Sequence, residues 1–224
     1  MFTLRFAASF AIFWLPLNWS AASDQSPISL ADLPSPPGEL KRLIEAGEVE
    51  FEFGGDTTDR PFAAETHYEI AFDYKTRTTW RLSPNRRQLR IVMRLSRLSW
   101  QPRHRVWFRK QPASEGFWSN PLVLHEFDHV RLSSDPRWRE KLEAFKRKPA
   151  VIQHDLSSHE PVTPALVDQI VEQYLQSRLQ EVFDLIDIRY RELDRQTAHG
   201  QRPLPEDSPL RKYLREPEAE RSEP

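Results

Sequence analysis

The chain has 224 residues, enough for one domain of ordinary size with a sizeable core. A hydrophobic content of 38% with 29% charged residues describes a globular chain, and 32 Lys and Arg against 33 Asp and Glu, a formal net charge of −1, leave no positive excess to draw it to nucleic acid. Cysteine is absent, which excludes disulfides, thiolate metal sites and cysteine nucleophiles, and the six glycines spell neither a GxGxxG nor a P-loop.

In chain order, Met1–Arg5 is short and basic, Phe6–Trp19 is an almost unbroken apolar run, and Ser20-Ala21-Ala22 supplies small residues. That three-part pattern predicts a secretory signal peptide over 1–22, hence an exported protein, periplasmic or secreted, with no membrane span after cleavage. Residues 23–37 hold four prolines and read as a linker. A helix is expected over Glu39–Ala46, with Gly47 as its stop. Val49, Phe51 and Phe53 alternate with glutamates, the period of a half-buried strand. Tyr68 to Tyr74, Trp80 with Leu82, Leu89 to Leu95, and Val106 to Phe108 repeat the alternation as further strands, with a turn at Ser83-Pro84-Asn85. The period then changes. Asn120-Pro121 opens a helix to about Leu132, Pro136 another through Phe145, and Thr163-Pro164 a long one. Its apolar stripe is Leu175, Leu179, Val182, Phe183, Ile186, Tyr190 and Leu193. The prolines and charges beyond Gly200 predict a disordered tail over 201–224. Strands followed by helices make a single α+β domain over 38–200, its N-terminal β region antiparallel.

His125-Glu126-Phe127-Asp128-His129 is an H-E-x-x-H sequence within the second expected helix. Residues four apart share a helix face, so two imidazoles can converge on one Zn²⁺ and leave positions for a third ligand and a water. Glu126 stands beside them as general base for the water that the cation activates. Leu122, Val123, Leu124, Phe127, Val130 and Leu132 surround the motif, as a buried active-site helix requires. The third ligand is open between several residues. His199 closes the long helix beside Gly200 and reaches the site only if that helix unwinds near Thr197. Asp187 and Asp194 are the carboxylate alternatives. Asp135 follows His129 by six residues, a spacing known for third ligands, but Leu132 stands where that pattern needs glycine. His154 and His159 fall in an expected loop, and Tyr190 or His159 is a candidate to stabilise an oxyanion.

The order of a leader, a β-rich region with Thr78-Thr79-Trp80, then Trp118…Leu122…His125-Glu126…His129, then Asp194…Thr197…His199-Gly200 resembles a family of small exported bacterial proteins described as zinc-dependent proteases of unknown physiological function. The resemblance covers about residues 66–200. It implies a zincin-like fold, zinc on His125 and His129 with His199 as the suspected third ligand, Glu126 as catalytic base, and a peptide or protein substrate. By analogy with such proteases, a strand over Arg105–Lys110 would align the substrate backbone. The sequence departs from the family pattern at Phe127-Asp128, where a small residue commonly precedes the second histidine.

Residues 75–110 contain ten arginines and two lysines with no acidic residue. Two expectations follow: a solvent-facing strand surface paired with acids elsewhere, or a surface for an anionic partner. No nucleic-acid motif accompanies the run. The competing function is therefore a non-enzymatic envelope protein that binds an anionic ligand through this sheet, with structural zinc or none.

Overall fold

The computed structural model describes residues 2–8, 33–46, 48–54, 61–85, 87–157 and 160–214. The fold is α+β with a mixed sheet. In chain order the elements are β1 (Phe2–Ala8), α1 (Gly38–Ala46), β2 (Glu48–Phe53), β3 (Ala64–Leu82), β4 (Gln88–Phe108), α2 (Pro121–Ser133), α3 (Pro136–Arg147), β5 (Ala150–Asp155), α4 (Pro164–Thr197) and α5 (Arg211–Leu214). The sheet order is β1-β3-β4-β2, with β5 also on β4. β2 pairs in parallel with 103–108 of β4, and β5 pairs antiparallel with 88–93. The expected purely antiparallel region is thus corrected by one parallel pair.

The alternating stretches read as separate short strands fuse into two long ones, β3 and β4, around the turn at 83–87. The alternation itself holds: Leu89, Ile91, Met93 and Leu95 are buried, while Arg90 and Arg94 are not. The arginine run follows the outward period, and Arg105 pairs with Glu50 and Glu52 at 3.7 and 3.1 Å. β5 was missed, because Ala150–Asp155 shows only six residues of alternation between helices; it places His154 on a strand. The strand expected to align a substrate is β4 at 105–108, which lies between β3 and β2 and has no free edge.

The chain divides into two compact units. One comprises 1–5, 71–101 and 136–185; the other comprises 6–70, 102–135 and 186–224. The first buries Tyr74, Leu89, Ile91, Met93, Leu95, Val167, Ile170, Val171 and Leu175. The second gathers Phe51, Phe108, Phe117, Trp118 and Phe127 with Val106, Val123 and Val130. Phe117 meets Trp118 edge to face at 4.8 Å, and Trp118 meets Phe127 at 5.8 Å. This aromatic cluster seats one side of α2, since edge-to-face rings add to the burial of large apolar area.

Leu33 is buried and the Pro34 carbonyl accepts the Trp118 indole N–H, so the stretch read as a linker already packs at its C-terminal end. The rest of that linker, the leader beyond residue 8 and His159 lie outside the described residues, as does Gly47. Residues 201–214, expected to be disordered, belong to the fold. Leu210 is buried, Arg189 stacks 3.5 Å from the Tyr213 ring, and Arg211 donates to the carbonyls of Leu204 and Pro205. One apolar anchor and an arginine clamp outweigh an unfavourable composition. Among the described residues no helix is long and apolar enough to cross a membrane.

Candidate metal centre

The centre lies within the second unit. Its first element is α2, whose start is fixed by the Asn120 side chain accepting from the Leu122 N–H at 2.9 Å, with Pro121 in the first turn. Thirteen residues of helix then bury His125, Glu126 and His129, which are 5, 2 and 4% exposed. Asp128, the departure from the family pattern, is accommodated by an ion pair with Arg131 one turn on.

The second element is the end of α4. Asp194 Oδ1 lies 3.1 Å from His125 Nε2 and 3.0 Å from His129 Nε2. These three residues form a group that could hold a metal ion, with ligand atoms all within 4.8 Å of one another. His199 is not in the group. Its Nδ1 lies 3.4 Å from Asp194 Oδ1, its side chain is 44% exposed, and its ring stacks on Phe62 at 4.0 Å. The third member of the group that could hold an ion is Asp194, one of the carboxylate alternatives, and His199 lies beside it. The reason is geometric: Asp194 still lies on the regular helix, facing α2. The chain unwinds just beyond, with Ala198 and His199 in the left-handed region at φ 51 and 54°. Asp187 accepts from the Tyr68 hydroxyl at 2.8 Å, and Asp135 pairs with Arg189 at 3.4 Å, so neither joins the group.

Thr197 and Gly200 of the Asp194…Gly200 stretch both meet His125 on α2. Thr197 Oγ1 gives its single proton to the Leu193 carbonyl at 2.8 Å. It is then left to accept from the Gly200 N–H at 3.2 Å and from His125 Nδ1 at 3.3 Å. With a proton on Nδ1 bonded to Thr197, His125 keeps Nε2 toward Asp194, either as a lone pair for a cation or, when the ring is doubly protonated, as a donor to the carboxylate. Gly200, at φ 77°, lies so close to His125 that an added Cβ would sit 3.0 Å from the imidazole Cγ. Only glycine meets both demands.

A lone pair and a carboxylate oxygen 3.1 Å apart repel unless a proton or a cation lies between them. A tetrahedral ion with bonds of ~2.0–2.1 Å sets its ligand atoms roughly 3.3 Å apart, close to the two His–Asp separations of 3.1 and 3.0 Å. The donor set of two imidazoles and one carboxylate fits such an ion. Among the described residues His129 Nδ1 is buried without a hydrogen-bond partner; its Nε2 faces Asp194, and its ring packs against the Tyr190 and His125 rings at 4.3 and 4.8 Å.

Glu126 is held from β3: Thr66 Oγ1 donates to its Oε2 at 2.6 Å. Thr66 precedes Glu126 by 60 residues, and nothing local in the sequence marks it. Burial pushes the Glu126 carboxyl up, and the neighbouring imidazoles and Thr66 only partly offset it. Burial would also raise Asp194, but hydrogen bonds from His125 and His129 outweigh it and hold the carboxyl well below the usual range. For His129, burial is outweighed by the bond to Asp194, and the imidazole is pushed up. Tyr190, the oxyanion candidate, is tied into the interior. Its hydroxyl is buried 2.9 Å from Ser133 Oγ, and burial pushes its titration upward. Ser133 in turn meets His104 Nε2 at 2.7 Å. Ser133 and His104 form a buried polar pair that sequence reading missed, because neither belongs to a recognisable motif.

The fold and site together define an α+β protein with a His–His–Asp group, its two histidines buried, that could hold a metal ion. No protein-family model, no curated protein and no solved structure matches the chain.

Proposed function

We propose that this chain is an exported zinc-dependent metallopeptidase of zincin-like architecture, akin to the family its motifs resemble. The observation that carries the reading is a buried carboxylate, Glu126, held by Thr66 beside three converging donors. A metal-binding group alone would fit a purely structural ion. A buried glutamate next to that group, its carboxyl pushed up and one oxygen fixed by hydrogen bonding, has the character of a general base or acid.

His125, His129 and Asp194 would hold Zn²⁺. When bound, the ion polarises a peptide carbonyl and makes water acidic enough to attack near neutral pH. The protein's own residues do the rest. Glu126 takes the proton from the attacking water and passes it to the departing amine, while Thr66 keeps one carboxylate oxygen turned away so that the other faces the reaction. Thr197 fixes the His125 tautomer, and Gly200 lets the turn close over the ring.

The test is zinc analysis of the purified protein with cleavage of a peptide library, against Glu126→Gln. The expected result is about one zinc per chain in both proteins, with hydrolysis lowered roughly 10²–10⁴-fold in the variant. Equal cleavage by both would overturn the mechanism, and bound zinc with no cleavage would favour a non-enzymatic envelope protein.

A further inference from the structure

Beside the ligand group, and wholly within the same unit, lies a cleft of about 610 Å³. Its walls are mainly apolar and include Pro61, Phe62, Ala63, Pro121, Leu122 and His199. The volume falls within the range of ~300–1,000 Å³ usual for ligand sites. The walls are anchored rather than loose. The Ala63 carbonyl accepts from the Arg109 N–H at 2.8 Å, Asn120 caps α2, and Phe62 stacks on His199 at 4.0 Å.

The cleft is separated from the metal-ligand group by one turn of chain. His199 and Gly200 line it, and the same two residues touch the ligands. His199 Nδ1 is 3.4 Å from Asp194 Oδ1, and Gly200 lies against the His125 ring. Ala198 and His199 hold left-handed backbone angles that non-glycine residues rarely adopt. That unfavourable backbone puts an imidazole, still 44% exposed, between the ligands and an apolar hollow.

We infer that this cleft receives bulky apolar side chains of an extended peptide segment adjoining the scissile bond, so that the substrates are peptides with a large aliphatic or aromatic residue flanking the cleaved position. The inference rests on the peptidase reading for its scissile bond, but not for its binding. Burying a leucine or phenylalanine side chain favours such peptides over glycine by about 10- to 100-fold in kcat/KM.

The experiment uses the zinc-loaded full chain and fluorogenic peptides that differ only in the residues flanking one bond: Gly, Ala, Leu or Phe. Ala63 is exposed, so Ala63→Trp puts bulk into the cleft without disturbing the core. The expected result is a preference for Leu or Phe that falls at least about 10-fold in Ala63→Trp, with Gly and Ala peptides changed less than about 3-fold. Phe62→Ala, which widens the cleft, should keep the preference for bulk. A separate arm titrates N-acetyl-leucinamide and N-acetyl-glycinamide into Glu126→Gln, following the Leu122 methyl resonances. Saturable shifts with the leucine compound alone, lost when Ala63→Trp is added, are expected. Glu126-dependent cleavage with no preference for bulk, unaltered by Ala63→Trp, would overturn the cleft and leave the peptidase standing. Leucinamide binding without hydrolysis of any peptide would support the cleft and overturn the peptidase.

Discussion

The two compact units are built from stretches of the same elements, β3, β4 and α4, yet their interiors are chemically opposite. Among the described residues the unit around 71–101 and 136–185 buries hydrophobic side chains alone, aliphatics with Met93, Phe72, Tyr74, Trp138 and Phe183 among them. All eight polar or charged residues buried among the described residues fall in the other: His104, His125, Glu126, His129, Ser133, Asp135, Thr197 and Ser208. Burying an ionisable group costs several kcal/mol unless partners compensate, and apolar packing of similar volume is commonly as stable or more so. The first unit demonstrates that this sheet and helix can be packed with aliphatics. The polar interior of the second is therefore not a requirement of the fold, and its arrangement around two imidazoles points to chemistry.

The largest effect expected from breaking this contrast is on metal affinity. Asp194→Asn removes the charge that faces both Nε2 atoms and should weaken Zn²⁺ binding by more than the ~10–100-fold that outer partners typically cost. His199→Asn should change it by less than about 3-fold, because His199 stands outside the group. Competition against a chromophoric chelator reads both. A loss larger for His199 than for Asp194 would restore the histidine as third ligand. Next in size is a substitution in the aliphatic interior. Ile91 is fully buried, so Ile91→Ala should destabilise the fold by about 2–5 kcal/mol in denaturant titration, with zinc affinity unchanged once the chain is folded.

How far the sequence disclosed all this depends on the range of each signal. Alternation along β2 to β4 and the 3.6-residue stripe of α4 are local, so the elements were legible, as was the pairing of His125 with His129 one turn apart. Legibility failed where the decisive partner is remote. The choice between Asp194 and His199 turns on where α4 unwinds, which the left-handed pair Ala198-His199 decides and no periodicity announces. Thr66 could be found only through a contact 60 residues away. The ordered stretch 201–214 was hidden because composition averages over Leu210, its one buried apolar residue among those described.

Thr197→Val sharpens the comparison by removing only a hydroxyl. The side chain keeps its volume, but His125 Nδ1 loses its acceptor and the buried N–H is left unpaired. Zinc affinity should fall about 10–100-fold, as for other partners of ligating histidines, with the fold retained. An unchanged affinity would mean that packing against Gly200 alone fixes the ring.

A last comparison separates the polar interior from the metal group altogether. His104 is buried, bonded to Ser133 through Nε2, and burial lowers its titration to about 3 from the ordinary 6.5. It is therefore neutral in the fold, whereas in the unfolded chain it takes up a proton below pH 6.5. The unfolded state then binds more protons, so the stability that neutral His104 contributes is fully present above pH 6.5. It is lost as the pH falls from there toward 3, with a slope of about 1.4 kcal/mol per pH unit. Urea titrations of the zinc-free protein across this window, compared with His104→Asn, measure it directly. The variant starts less stable at pH 7 if the bond to Ser133 is lost, but its curve should fall less steeply with acid, and the two should converge. Parallel curves would mean that His104 is already charged in the fold, and that the polar interior tolerates a cation with no carboxylate beside it.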